Sequence, residues 1–108
     1  MNWLDICALE DIPQLGSRVV TGAKCDIAVF RTSDDDVFAV DDRCPHKNGP
    51  LSQGIVFGKQ VTCPLHNWTI QLENGEAVAP DVGCTHRYPT RVANGRVQLV
   101  LDKVRDQA

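Results

Sequence analysis

The chain has 108 residues, 43% hydrophobic and only 6% aromatic, so residues 1–108 are expected to form one small domain whose core is mostly Val, Ile, Leu and Ala. The formal net charge is −3 with no basic tract, so nucleic acid is not an expected partner. No stretch approaches the roughly 20 apolar residues that a bilayer span needs, so no membrane partner is expected either.

Met1–Ala8 lacks a positive n-region and a long apolar run. It does not read as a signal peptide, and a cytoplasmic location is expected. Trp3–Ala8 reads as a first strand, and Leu9–Gln14, with Pro13, as a single helical turn. Arg18–Thr21 and Asp26–Arg31 read as strands around Gly22. The charged turn Ser33–Asp36 leads into Val37–Asp41, where alternate residues face opposite sides. Ile55–Phe57 and Gln60–Thr62 predict a tight hairpin about Gly58-Lys59. Trp68–Leu72 predicts a strand that turns at Asn74-Gly75, and Ala79–Gly83 a loop. Arg87–Ala93 and Arg96–Leu101 predict the clearest hairpin, because Asn94-Gly95 is a strong type I′ signal, with Val97, Leu99 and Leu101 on one face. The tail 102–108 is polar and expected to fray. The pattern is all-β throughout.

Four residues between these strands carry chemistry. Cys44 and His46 stand in Cys-Pro-His; after sixteen intervening residues, Cys63 and His66 stand in Cys-Pro-Leu-His. Two clusters, about 43–52 and 62–68, thus each offer one cysteine and one histidine from a loop after a strand. This is the spacing of a Rieske [2Fe–2S] site, in which two cysteines hold one iron and two histidines the other. Two thiolates instead of four leave such a site less negative, so an added electron is accepted more easily. Pro45 and Pro64 stiffen the loops, and Gly49 and Gly54 are expected to allow tight bends. The same donors could hold a structural zinc. However, Cys-x-His is an uncommon opening for a zinc finger, and no helix is expected after the histidines.

The chain has five cysteines, an odd number, and no sign of secretion, which favours metal ligation over disulfides. Cys7 and Cys25 read as core residues. Cys84-Thr85-His86 repeats Cys-x-His, but the cluster already has four ligands. Cys84 is expected near the site or in the core, and His86 at the surface or behind the ligands.

The run Cys44–His66 resembles the Rieske iron–sulfur family, and the likeness extends over nearly the whole chain. It implies an antiparallel β-sandwich or barrel-like fold with a cluster-binding subdomain on a larger β base. It also implies one [2Fe–2S] cluster per chain on Cys44, His46, Cys63 and His66, and a covering loop at Pro80. Respiratory members of the family add a disulfide between the cluster loops. Gly49 and Leu65 occupy those positions here, and Trp68 and Ile70 stand where such members have hydroxyls bonded to the cluster sulfurs. Fewer donors imply a low potential.

Within the family, Cys44-Pro-His-Lys-Asn-Gly-Pro-Leu-Ser-Gln-Gly, Val61-Thr-Cys-Pro-Leu-His-Asn-Trp, Pro80-Asp-Val-Gly-Cys-Thr, Tyr88-Pro-Thr-Arg-Val and Trp3-Leu-Asp-Ile-Cys look like the small subunit of assimilatory NAD(P)H nitrite reductase. That likeness implies an oxidoreductase converting nitrite to ammonium, with a large partner carrying flavin, an iron–sulfur cluster and sirohaem. The alternative is the ferredoxin component of a ring-hydroxylating dioxygenase. No catalytic residue is expected on this chain itself. Lys47, Asn48, Leu51, Asn67 and Trp68 flank the ligands and are docking candidates.

Overall fold

The computed structural model of the chain describes residues 3–21, 25–44, 49–64, 68–79 and 82–100. Among these the chain forms β1 (Leu4–Ala8), β2 (Ser17–Val20), β3 (Ile27–Arg31), β4 (Val37–Asp41), β5 (Ile55–Phe57), β6 (Gln60–Thr62), β7 (Thr69–Gln71), β8 (Arg87–Tyr88), β9 (Thr90–Ala93) and β10 (Arg96–Leu99). Two short 3-10 turns, Leu9–Asp11 and Leu51–Gln53, complete the regular structure. None of these elements is a helix long and apolar enough to cross a membrane.

Every strand pairing is antiparallel, and the strands form three sheets ordered β1-β10-β9, β2-β3-β4-β8 and β5-β6-β7. The middle sheet organises the other two. Ile27, Ala28, Val29 and Phe30 on β3 are all buried, so this strand is covered on both faces. Side chains alternate along a strand, and the apolar run therefore divides between two cores. Ala28, Phe30 and Val40 join Val56, Val61, Ile70 and Leu72 of the small sheet. Ile27, Val29, Val37 and Ala39 join Cys7, Ile12, Tyr88, Val97 and Leu99, which include the inward residues of the first sheet. The sequence predicts an all-β body, and the structure agrees. It resolves the body into a base of two sheets and a small third sheet.

The β9–β10 turn follows its sequence signal. Arg96 pairs with Ala93, and Asn94 and Gly95 hold φ of 54° and 75°, as a type I′ turn demands. Three expectations are corrected. The strand expected over Arg87–Ala93 is broken at Pro89 into β8 and β9, which join different sheets; proline has no N–H for a ladder bond. The strand expected over Trp68–Leu72 is limited to Thr69–Gln71. Cys25 is only half-buried and lies outside both cores, because it falls just before β3 rather than on it. Leu101 and the tail 102–108 lie outside the described residues.

Candidate metal centre

Both cysteine loops open at the end of a strand, largely buried in β4 and buried at Val61 in β6. β4 runs into Asp41, Asp42 and Arg43, and then Cys44, which is 1% exposed. β6 ends at Thr62, and Cys63 follows, also 1% exposed. The two cysteines come from different sheets yet enter the same core, with Phe30, Val40, Leu51, Val61 and Ile70 around them.

The loops close in the same way. The Cys44 N–H donates to the Gly49 carbonyl at 2.8 Å, and the Cys63 N–H donates to the Trp68 carbonyl at 2.7 Å. Each cysteine thus brackets a short run of chain, and connectivity puts His46 inside the first bracket and His66 inside the second. His46 and His66 themselves, with Pro45, Lys47, Asn48, Leu65, Asn67 and Pro80, lie outside the described residues.

Glycine at position 54 is a matter of space. Its φ of −78° suits any residue, but an added Cβ would run into the Thr62 carbonyl oxygen, next to Cys63. The bend expected there is better described as a close backbone approach between the end of the Leu51–Gln53 turn and the end of β6.

The donor set fits a [2Fe–2S] group of the Rieske type. Two water-shielded cysteines reach one core from two similarly closed loops, each of which carries a histidine in its sequence. A Cys₂His₂ zinc finger would be followed by a helix. Here β7 follows the second loop, paired to β6 through Thr62 and Thr69. No disulfide joins the five cysteines.

The remaining candidates are placed as follows. Cys7 is 4% exposed in the base core, and burial pushes its thiol up, which keeps it protonated and inert. Cys84 is exposed, so of the two placements expected for it the core is ruled out. It sits opposite Glu76 in an isolated bridge and lines an open recess of about 400 Å³ with Glu76, Ala77, Val82 and Gly83. His86 is half-buried, its ring edge-on to Tyr88 at 4.7 Å, and among the described residues its Nε2 has no hydrogen-bond partner. Leu51 is fully buried, so it is core and not a docking residue. Trp68 is half-buried and packs on the cluster-side core.

Sequence reasoning overlooked Asp41 and Asp42. Asp41, 6% exposed, accepts the Tyr88 hydroxyl at 2.6 Å. Asp42 accepts two bonds from Ser52. The only signal was two carboxylates directly ahead of the cysteine loop, and their partners lie 10 and 47 residues away.

A small antiparallel base and a third sheet that together present two closed cysteine loops, one from the middle sheet and one from the third, define an iron–sulfur electron-transfer domain. Residues 2–100 match the Rieske-like [2Fe–2S] domain family, and the chain belongs to it. Its cofactor is a Rieske [2Fe–2S] cluster. The chain is 35% identical to the 3-phenylpropionate/cinnamic acid dioxygenase ferredoxin subunit of Photorhabdus laumondii, over 95% of this chain and 98% of that protein. Two solved structures are also similar. The complex of reduced oxygenase and oxidized ferredoxin in carbazole 1,9a-dioxygenase matches at 26% identity and a TM-score of 0.80, covering 91% of this chain and 92% of the other. A putative NADH-dependent nitrite reductase small subunit from Mycobacterium tuberculosis matches at 26% identity and a TM-score of 0.81, covering 91% of this chain and 93% of the other.

Proposed function

We propose that this chain is a one-electron carrier of the ferredoxin type, which passes electrons from a reductase to the terminal oxygenase of a ring-hydroxylating dioxygenase system. The observation that carries this reading is the 35% identity to a dioxygenase ferredoxin subunit along nearly the full length of both proteins. The likeness covers a whole carrier and not just a domain within a larger enzyme. The nitrite reductase reading, which the motifs around Cys44 and Pro80 favour, becomes the second. It keeps support from the similar fold of the mycobacterial protein, and in it the partner is a large subunit with flavin, an iron–sulfur cluster and sirohaem.

In either setting the ligands are Cys44 and Cys63 on one iron and His46 and His66 on the other. When bound, the cluster supplies a reversible one-electron acceptor. The chain buries the cysteines away from water and holds their loops closed through backbone bonds. The whole of residues 1–108 acts as one carrier unit with no substrate site of its own.

Reconstitution tests the choice. The purified holo-protein is added to the reductase and oxygenase components of a ring-hydroxylating dioxygenase with NADH and an aromatic substrate. The expected result is diol formation that depends on this chain. Failure there, together with stimulation of nitrite-dependent NADH oxidation by a sirohaem flavoprotein, would move the assignment to the second reading.

A further inference from the structure

The two cluster loops differ at their necks. The second loop joins β6 to β7, which pair with each other, so the Thr62–Thr69 ladder closes it. The hydroxyls of Thr62 and Thr69 add a neutral contact of 3.3 Å. The first loop joins β4 to β5. β4 pairs with β3 and β8, and β5 pairs with β6 in another sheet, so among the described residues no strand ladder spans this neck.

A side chain spans it instead. Asp42 Oδ1 accepts the Ser52 N–H at 2.6 Å, and Oδ2 accepts the Ser52 hydroxyl at 2.8 Å. Both oxygens of one carboxylate are thus engaged by one residue ten positions away, through charge-assisted bonds. Each half of this clip is fastened to the middle sheet. The Asp42 N–H donates to the Asp26 carbonyl at 2.8 Å, and the Ser52 carbonyl accepts the Ser17 hydroxyl at 2.7 Å. Between them lie Cys44, bonded to Gly49, and the buried Leu51.

We infer that Asp42 is a positioning residue for the cluster: its carboxylate, clasping Ser52, holds the neck of the loop that presents Cys44 and His46, a task that a strand ladder performs for the other loop. The inference rests on the ligand assignment proposed above. It rests on hydrogen-bond geometry, to which the carboxylate charge adds strength. An asparagine can accept the Ser52 N–H through Oδ1 and donate to the Ser52 hydroxyl through its amide, so it preserves the clip.

The test compares Asp42→Ala, Asp42→Asn and Ser52→Ala with a control, Thr90→Val. The control removes a bond to the Val37 carbonyl at 2.7 Å in the base. Holo-proteins are assayed for iron release to a ferrous chelator well below their melting temperatures, for the EPR spectrum of the reduced state, and for Tm. Ser52→Ala loses the hydroxyl bond and keeps the N–H bond to Oδ1; it is expected to release iron about ten-fold faster, the lower end for loss of one bond to a charged group, and Asp42→Ala, which loses both bonds, faster still, each with a shifted or broadened EPR spectrum. Asp42→Asn should fall between the parent and Asp42→Ala, because it keeps both bonds and loses their charge assistance. Thr90→Val should lower Tm with parental iron release and EPR.

A folded Asp42→Ala protein with parental release and EPR would overturn the inference. So would an Asp42→Asn protein as impaired as Asp42→Ala, or a Thr90→Val protein with the same acceleration. If Asp42→Ala does not fold, Ser52→Ala decides alone, and parental behaviour there overturns the clip. A parent without iron, or a Cys44→Ser protein that keeps its cluster, would instead defeat the ligand assignment.

Discussion

Cys44, Cys63 and Cys84 each stand in a Cys-x-His or Cys-x-x-His run, yet their surroundings separate them. The first two are 1% exposed in one core, and the third is exposed beside an open recess. Cys44→Ser and Cys63→Ser should each abolish the visible and EPR signature of the holo-protein, because a hydroxyl is a poor substitute for a thiolate ligand. Cys84→Ser should leave both spectra unchanged. Spectra recorded at matched protein concentration check this, and retention of the signature in either of the first two would refute the ligand set. Trp68 and Ile70 bear on the potential. Ile70 is fully buried in the cluster-side core and Trp68 packs against it. By the family resemblance, these apolar and indole groups stand where respiratory members have hydroxyl donors that would stabilise an added electron. A redox titration is expected to give a midpoint in the lower part of the range characteristic of Rieske centres, roughly −150 to +300 mV. A midpoint above about +200 mV would contradict this account of the donors.

At the level of elements, two glycines show different reasons for the same residue. Gly54 has an ordinary φ but no room for a Cβ beside the Thr62 carbonyl, whereas Gly95 has open space but a φ of 75°. Gly95→Ala should cost about 1–2 kcal/mol through left-handed strain alone, with parental spectra. Gly54→Ala should cost about 1–3 kcal/mol through overpacking. It should also perturb the EPR spectrum, because the clash falls next to Cys63. Denaturant titration with EPR on the same samples separates the two effects. Much at this scale is legible in the sequence. β4, β5 and β6 have the expected bounds because short apolar runs with period two are flanked by Gly, Asp and Lys turns. The cysteine spacing alone marks both loops. Pairing between distant strands is not legible: β1 with β10 and β4 with β8 leave no local trace. That is why the exposure of Cys84 and the Asp42–Ser52 clip escape a reading along the chain. Each depends on a partner that only the folded chain brings near.

Across the whole molecule, the middle sheet shares its two faces between a base core and a cluster-side core. The base core contains Tyr88, Val97 and Leu99 and none of the proposed ligands. The cluster-side core contains Cys44 and Cys63 and draws heavily on short strands of three residues. Ligation that ties the two loops together should therefore stabilise the small sheet more than the base. Removing iron with a chelator should speed amide exchange at Val61 and Ile70 while Val97 and Leu99 keep their protection. Equal loss across both cores would show that the molecule responds as one unit. The central claim is that one Rieske cluster sits on the two cysteine loops. The measurement that tests it most directly is iron and acid-labile sulfide analysis, with EPR of the reduced state, on anaerobically purified protein and its Cys44→Ser variant. The account predicts about two irons and two sulfides per chain, a Rieske-type EPR signal, and loss of all three in the variant. Protein from a host competent in cluster assembly that contains zinc, or no metal, and no sulfide would contradict it.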